Sequence, residues 1–166
     1  MLSVLDGTLA HAKLFLDILS IRFPGKFRVE CDIPEDLTKL YCLRFVLQPL
    51  VENCVSHGFG TMDTGGIIRI TSSILGEELR IYVEDNGCGI GTDRLEELRW
   101  QLQGEVGTSS VGLFNVHNRI RLRFGPGYGV ELENIKTGGV RAIVRQPVQR
   151  SPLDTEIKSR FDPCPL

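Results

Sequence analysis

The chain has 166 residues, 42% hydrophobic and 24% charged, the balance of one globular domain long enough to bury a core. A net charge of −2 argues against a protein that holds nucleic acid by bulk electrostatics. No run of about 18 apolar residues is present to insert in a membrane, and Met1-Leu2-Ser3-Val4 does not open a secretory leader.

The five cysteines, Cys31, Cys42, Cys54, Cys88 and Cys164, include no C-x-x-C pair of the kind a structural zinc uses. Most therefore read as small core residues in a reducing compartment.

In chain order, Leu9, Ala12, Leu16 and Leu19 form a stripe that predicts a helix from about Asp6 to Ile21. Its start reads as the tail of a longer upstream helix. Phe27, Val29 and Cys31 alternate with polar residues and predict a strand ended before Pro34. From Leu43 to about His57 a second helix is predicted, with Leu43, Val46, Leu47, Leu50, Val51, Cys54 and Val55 on one apolar face. Pro49 inside it should kink it or shift its start.

At ~100° per residue, Glu52, Asn53, Ser56 and His57 share the opposite arc. A carboxylate, an amide, a hydroxyl and an imidazole together suit an oxygen-ligated Mg²⁺ and its phosphates better than a soft metal. A plain solvated face is the other reading of these four residues.

Ile68, Ile70, Ser72 and Ile74, then Leu79, Ile81 and Val83, predict an antiparallel hairpin turning at Gly76-Glu77. Leu95, Leu98 and Leu102 predict a helix from about Thr92 to Gln103, with Thr92 as N-cap. Residues Gly104 to Val111 show no periodicity and read as a mobile loop. A last helix is expected from about Gly112 to Phe124, ended by Gly125. Val130 and Leu132, then Val140, Ala142 and Val144, predict a closing hairpin. Prolines from Pro147 onward mark a loose tail. Adjacent strands with grouped helices mean α+β, with helices on one face of a sheet, and not a Rossmann alternation.

Two glycine motifs add chemistry. Asp85-Asn86-Gly87-Cys88-Gly89-Ile90 ends a strand, which puts a partly buried carboxylate at a sheet end in need of a donor. The exocyclic amine of adenine is such a donor. Gly87 and Gly89 would give a flat base room against backbone; a plain strand-ending turn is the alternative. Gly107-Thr108-Ser109-Ser110-Val111-Gly112-Leu113 runs a small-residue loop into a helix start, where backbone N–H groups make an anion site. An ordinary connection would look the same.

With all three motifs in one chain, residues 5 to 147 resemble the catalytic, ATP-binding domain of sensor histidine kinases in the GHKL superfamily. Glu52-Asn53 and His57-Gly58 resemble its N box, Asp85-x-Gly87-x-Gly89 its G1 box and Gly107 to Leu113 its G2 region. Ile21-Arg22-Phe23, Gln48 to Asn53, Gly112 to Ile120 and Phe124-Gly125-x-x-Tyr128-Gly129 are similar to the LytS/YesM-like subgroup.

The resemblance implies a Bergerat-type two-layer fold, a mixed and mostly antiparallel sheet covered on one face by helices. Residues 1–150 would form the domain and 151–166 a flexible tail. ATP and Mg²⁺ are implied, with Asn53 as the protein's metal ligand, Glu52 polarising water or the attacking imidazole, and His57 and Gly58 near the phosphates. Asp85 would take the adenine amine, with Gly87, Gly89 and Ile90 around the base. The lid from Gly104 to Ser110, including Gly107, Thr108, Ser109 and Ser110, would lead into Val111, Gly112 and Leu113 at the phosphates.

Implied partners are a histidine-bearing dimerisation domain of the same kinase and a response-regulator receiver domain, with no nucleic acid. The localisation implied is a cytoplasmic domain of a membrane-anchored bacterial sensor. Ser110 and Val140 depart from the family pattern, and no phosphoacceptor segment of the His-Phe-x-Phe-Asn kind is present. His11 and His117 read as solvated or capping residues. A degenerate nucleotide-binding interaction module without kinase activity, or a related GHKL serine kinase or ATPase, is the alternative.

Overall fold

The computed structural model describes residues 1–104 and 111–152. The order of elements is β1 (Leu2–Val4), α1 (Leu5–Arg22), β2 (Phe27–Asp32), α2 (Glu35–Thr38), β3 (Tyr41–Leu43), α3 (Gln48–Asn53) continued by a π-helical turn (Cys54–Gly58), β4 (Gly66–Leu75), β5 (Glu78–Asp85), α4 (Thr92–Gln103), α5 (Val111–Phe124), β6 (Gly129–Asn134) and β7 (Val140–Pro147). Five strands form the main sheet in the order β2-β4-β5-β7-β6. Only β2 and β4 run parallel; the other neighbours are antiparallel. A parallel pair needs a long crossover, and α2, β3 and α3 supply it.

Alternation along β5 sets the two faces. Leu79, Ile81, Val83 and Asp85 are buried under the helices, while Glu78, Arg80, Tyr82 and Glu84 lie on the other side. There a row of alternating charge crosses all five strands. Glu30, Arg69, Glu84, Arg141 and Glu133 are successive cross-strand partners. Arg69 meets Glu30 at 2.9 Å and Glu84 at 3.9 Å, and Arg141 bridges Glu84 and Glu133. Opposite charges directly across strands favour this register. The expected architecture, helices on one face of a mostly antiparallel sheet, is the one observed.

The second helix differs from its expectation. All seven residues of its apolar stripe are buried, but the helix begins at Gln48, not Leu43. Tyr41 to Leu43 instead pair with Val4 to Leu2 as a two-stranded sheet. Phe45 then takes a left-handed φ of 61°, which no helix interior allows. Pro49 sits in the first turn, where its missing N–H costs nothing. Gln146, fully buried, ties the small sheet to β7: its Nε2 donates to the Tyr41 carbonyl at 2.8 Å and its Oε1 accepts from Leu43 N–H at 3.3 Å.

Four smaller expectations are corrected. The N-cap of α4 is Gly91, with no side-chain cap bond, and Thr92 is the first helical residue. Cys42 and Cys54 are buried, but Cys31 and Cys88 are exposed. α1 starts directly from β1 at Leu5, so within the structure it is preceded by a strand and not by helix.

His117 is neither solvated nor a helix cap. It is buried on α5, where Nδ1 accepts the Val130 N–H at 3.0 Å. It thereby satisfies an outward donor of the edge strand β6, as Arg99 of α4 does for the Leu132 carbonyl at 2.9 Å. Gly129 is glycine because a Cβ there would meet the His117 ring at 2.6 Å.

Candidate functional site

A cavity of about 370 Å³ opens between the helices and the sheet. Its floor is Val83 and Asp85 of β5, Val140 and Ala142 of β7 and Leu132 of β6. One wall is Leu50, Asn53, Cys54, His57 and Gly58, from α3 and the π-helical turn. The other is Gly89, Ile90 and Gly91 with Arg94 and Leu98 of α4, and Leu113 of α5 closes the rest. An apolar slot with few convergent polar groups is the usual form of a small-ligand site.

Asp85 is the buried polar group of the floor, 6% exposed. Its Oδ1 accepts the Gly87 N–H at 2.8 Å and the Val140 N–H at 3.3 Å. Burial raises its pKa from the ordinary aspartate value, opposed by those two N–H groups and by the Cys54 thiol. Burial, with Asp85 beside it, holds the Cys54 thiol well above its ordinary value, so it stays protonated. A ligand donor placed against Asp85 would make a charge-assisted hydrogen bond in a largely apolar slot.

The turn that presents Asp85 is built by close backbone contacts. The π-helical turn ends with Phe59 N–H on the Cys54 carbonyl at 3.0 Å, which sets Gly58 against Asp85. The Gly58 carbonyl accepts the Cys88 N–H at 3.1 Å. A Cβ on Gly87 would lie 2.1 Å from the Gly58 oxygen, and one on Gly139 1.8 Å from the Asp85 carbonyl. Asn86 binds the start of β4 through the Ile67 N–H at 2.6 Å and the Gly65 carbonyl at 3.0 Å. Asn134 clamps Ile90 with two bonds, at 2.9 and 2.6 Å.

Of the residues expected at a site, Asn53, His57, Gly58, Asp85, Gly89, Ile90 and Leu113 line the cavity. Gly87 does not: its missing side chain makes room for the Gly58 carbonyl, not for a ligand. Glu52 is exposed on α3 and stands off the wall, as do Ser56 and Gly112. The polar helix face is thus divided, with Asn53 and His57 turned to the cavity. Gly107, Thr108, Ser109 and Ser110 lie outside the described residues, as does the side chain of Val111. Sequence reading missed Cys54 and Arg94 on the walls; Cys54 was absorbed in the apolar stripe, and Arg94 looks like any helix-surface cation.

Among the described residues no group of three His, Cys, Asp or Glu side chains could hold a metal on its own, and no helix is long and apolar enough to cross a membrane.

Known proteins resemble this chain in sequence and in fold. Residues 41–150 match the model of the histidine kinase-, DNA gyrase B- and HSP90-like ATPase family. The chain is 31% identical over 149 residues to the sensor protein LytS of Bacillus subtilis, covering 88% of this chain and 25% of that protein. It is 29% identical to LytS of Enterococcus faecalis, covering 90% of this chain and 25% of that protein. It therefore spans about a quarter of the length of these curated relatives.

The catalytic domain of histidine kinase ThkA shares the fold at a TM-score of 0.61 and 22% identity, covering 89% of this chain and 94% of that domain. The ATP-binding domain of PrrB from Mycobacterium tuberculosis does so at 0.58 and 20%, covering 89% and 96%. The family match spans most of the chain and takes in both Asp85 and the π-helical turn, so the chain belongs to the histidine kinase-, DNA gyrase B- and HSP90-like ATPase family.

Proposed function

We propose that this chain is the ATP- and Mg²⁺-binding catalytic domain of a bacterial two-component sensor histidine kinase. It would transfer the γ-phosphoryl group of ATP to a histidine on a dimerisation domain, with a response regulator downstream. Residues 1–150 would form the domain and 151–166 an extension, in the cytoplasmic part of a membrane-anchored parent. The observation that carries this is the buried Asp85 carboxylate, preset by two backbone N–H groups at one end of an apolar slot, with Asn53 and His57 on the adjoining wall.

Adenine offers Asp85 an amine donor; guanine would offer an oxygen at the same place and leave two acceptors facing each other. Val83, Ile90, Leu98, Leu132 and Ala142 would enclose the rings. The donor set fits Mg²⁺: Asn53 would provide its amide oxygen, the described residues form no cage of three His, Cys, Asp or Glu, and Mg²⁺ is commonly held by one or two protein oxygens plus phosphates. Bound there, the ion would neutralise phosphate charge. His57 and the Gly107–Ser110 stretch would add contacts to the phosphates. Glu52, exposed beside Asn53, would meet an imidazole arriving from another domain, whose Nδ1 or Nε2 proton it would orient or accept. Positioning and electrostatics would do most of the catalysis.

The test is titration of the chain with ADP and ATP with and without Mg²⁺, followed by transfer of radiolabelled phosphate to a histidine-bearing helical domain of the parent kinase. Binding with no transfer would favour the interaction-module reading. No binding at millimolar nucleotide would remove the proposal.

A further inference from the structure

Asp85 and Arg94 are the two formally charged side chains lining the cavity among the described residues, Asp85 on the floor strand β5 and Arg94 on the α4 wall. The floor strands run in the order β5-β7-β6. At ~4.8 Å per strand, the outer two lie ~10 Å apart. Asp85 and the π-helical turn stand over β5, whereas α4 is anchored over β6 through Arg99 and the Leu132 carbonyl. Asn53 is on the β5 side with Asp85. A nucleotide that gives its amine to Asp85 and its phosphates to the Asn53 wall turns another part of its purine toward α4.

We infer that Arg94 contacts the purine base, on the edge turned away from Asp85, and is a specificity-determining residue of the site. The inference rests on the nucleotide reading above. Adenine has ring nitrogens that accept hydrogen bonds and no further strong donor, so a guanidinium is a fitting partner. Leu98, one turn along the same face of α4, supplies the apolar surface beneath. Among the described residues Arg94 pairs with Glu97, at 2.5 Å, with both side chains about half exposed (51% and 52%). Such a pair is weak enough to give way to a ligand.

The experiment measures affinities of adenosine, AMP, ADP and ATP for the wild-type chain and for Arg94→Ala, Arg94→Lys and Glu97→Ala. A base contact predicts that Arg94→Ala weakens all four ligands by one common factor of about tenfold. Arg94→Lys should recover only part, because an ammonium lacks the planar fork. Glu97→Ala should change affinity less than about twofold. A loss that grows with phosphate number would make Arg94 a phosphate ligand and overturn the inference, and unchanged affinities would reduce it to the Glu97 pair. A wild type that binds none of the four would remove the nucleotide site and the Arg94 role with it. Melting temperatures of the variants should match the wild type, since the side chain is half exposed.

Discussion

Gly58 and Asp85 touch: a Cβ on Gly58 would lie 2.9 Å from Asp85 Oδ1 and 3.0 Å from its Cγ. The end of the π-helical turn and the end of β5 thus fix each other, and the carboxylate keeps its place because the facing residue has no side chain. The segments around Gly58 and Asp85, which are separate in sequence, are one packed unit.

Gly58→Ala should therefore displace Asp85 or the turn. Overpacking of this kind costs about 1–3 kcal/mol. The melting temperature should fall and ADP affinity should fall with it. A variant that melts and binds like the wild type would show that the contact yields freely.

Asp85→Asn tests the carboxylate without changing its size. The amide oxygen can still accept from Gly87 and Val140, so the fold should stay intact. What is lost is a charge-assisted acceptor, on a scale of about 1.5–3 kcal/mol, or about tenfold or more in ADP affinity. Titration calorimetry reads this, and GTP should bind the wild-type chain far more weakly than ATP. Unchanged ADP affinity would take Asp85 out of the base site.

His117 gives the domain a pH dependence. Burial, with Arg121 adding to it, holds its folded pKa below the ordinary 6.5; the Val130 carbonyl, 3.2 Å from Nδ1, would favour a proton there and opposes the shift. The neutral form is the one that fits, with Nδ1 accepting from Val130. Below pH 6.5 the unfolded chain takes up a proton that the folded chain resists, so the unfolded state binds more protons and stability falls as the pH falls. Urea midpoints should therefore drop between pH 7.5 and 5. The drop should be smaller in His117→Asn, which is less stable at pH 7.5 but has no proton to gain there.

Much of this fold was legible from spacing. Alternation marked β4, β5, β6 and β7, and helical stripes marked α1, α4 and α5, because each buries one regular face. β1 and β3 were hidden, since three residues carry no period and Leu2 finds Leu43 only in three dimensions. The stripe from Leu43 identified the buried residues correctly but not the conformation, because burial needs only that the side chains face inward and Phe45 interrupts the helix. Asp85 was legible as a carboxylate ending an apolar strand. The reason for Gly87 was not, because its neighbour is Gly58, 29 positions earlier. His117 was misread because its partner Val130 belongs to another element, and Arg94 was missed because only the fold sets α4 beside the cavity.

Glu52 and Asn53 should separate chemistry from binding. Asn53 lines the cavity and offers the metal ligand of the proposal, so Asn53→Ala should weaken ATP affinity in Mg²⁺ and much less in its absence. Glu52 is exposed and makes no part of the wall, so Glu52→Ala should leave ADP and ATP affinity nearly unchanged. Its effect should fall on transfer to an added histidine-bearing domain, slowed ~10²-fold or more if the carboxylate orients or deprotonates the attacking imidazole. A single-turnover assay with radiolabelled ATP and saturating acceptor domain isolates that step from binding. Wild-type transfer by Glu52→Ala would leave the carboxylate without a part in the reaction. A parallel loss of nucleotide affinity would place Glu52 in the binding site instead, against its position off the cavity wall.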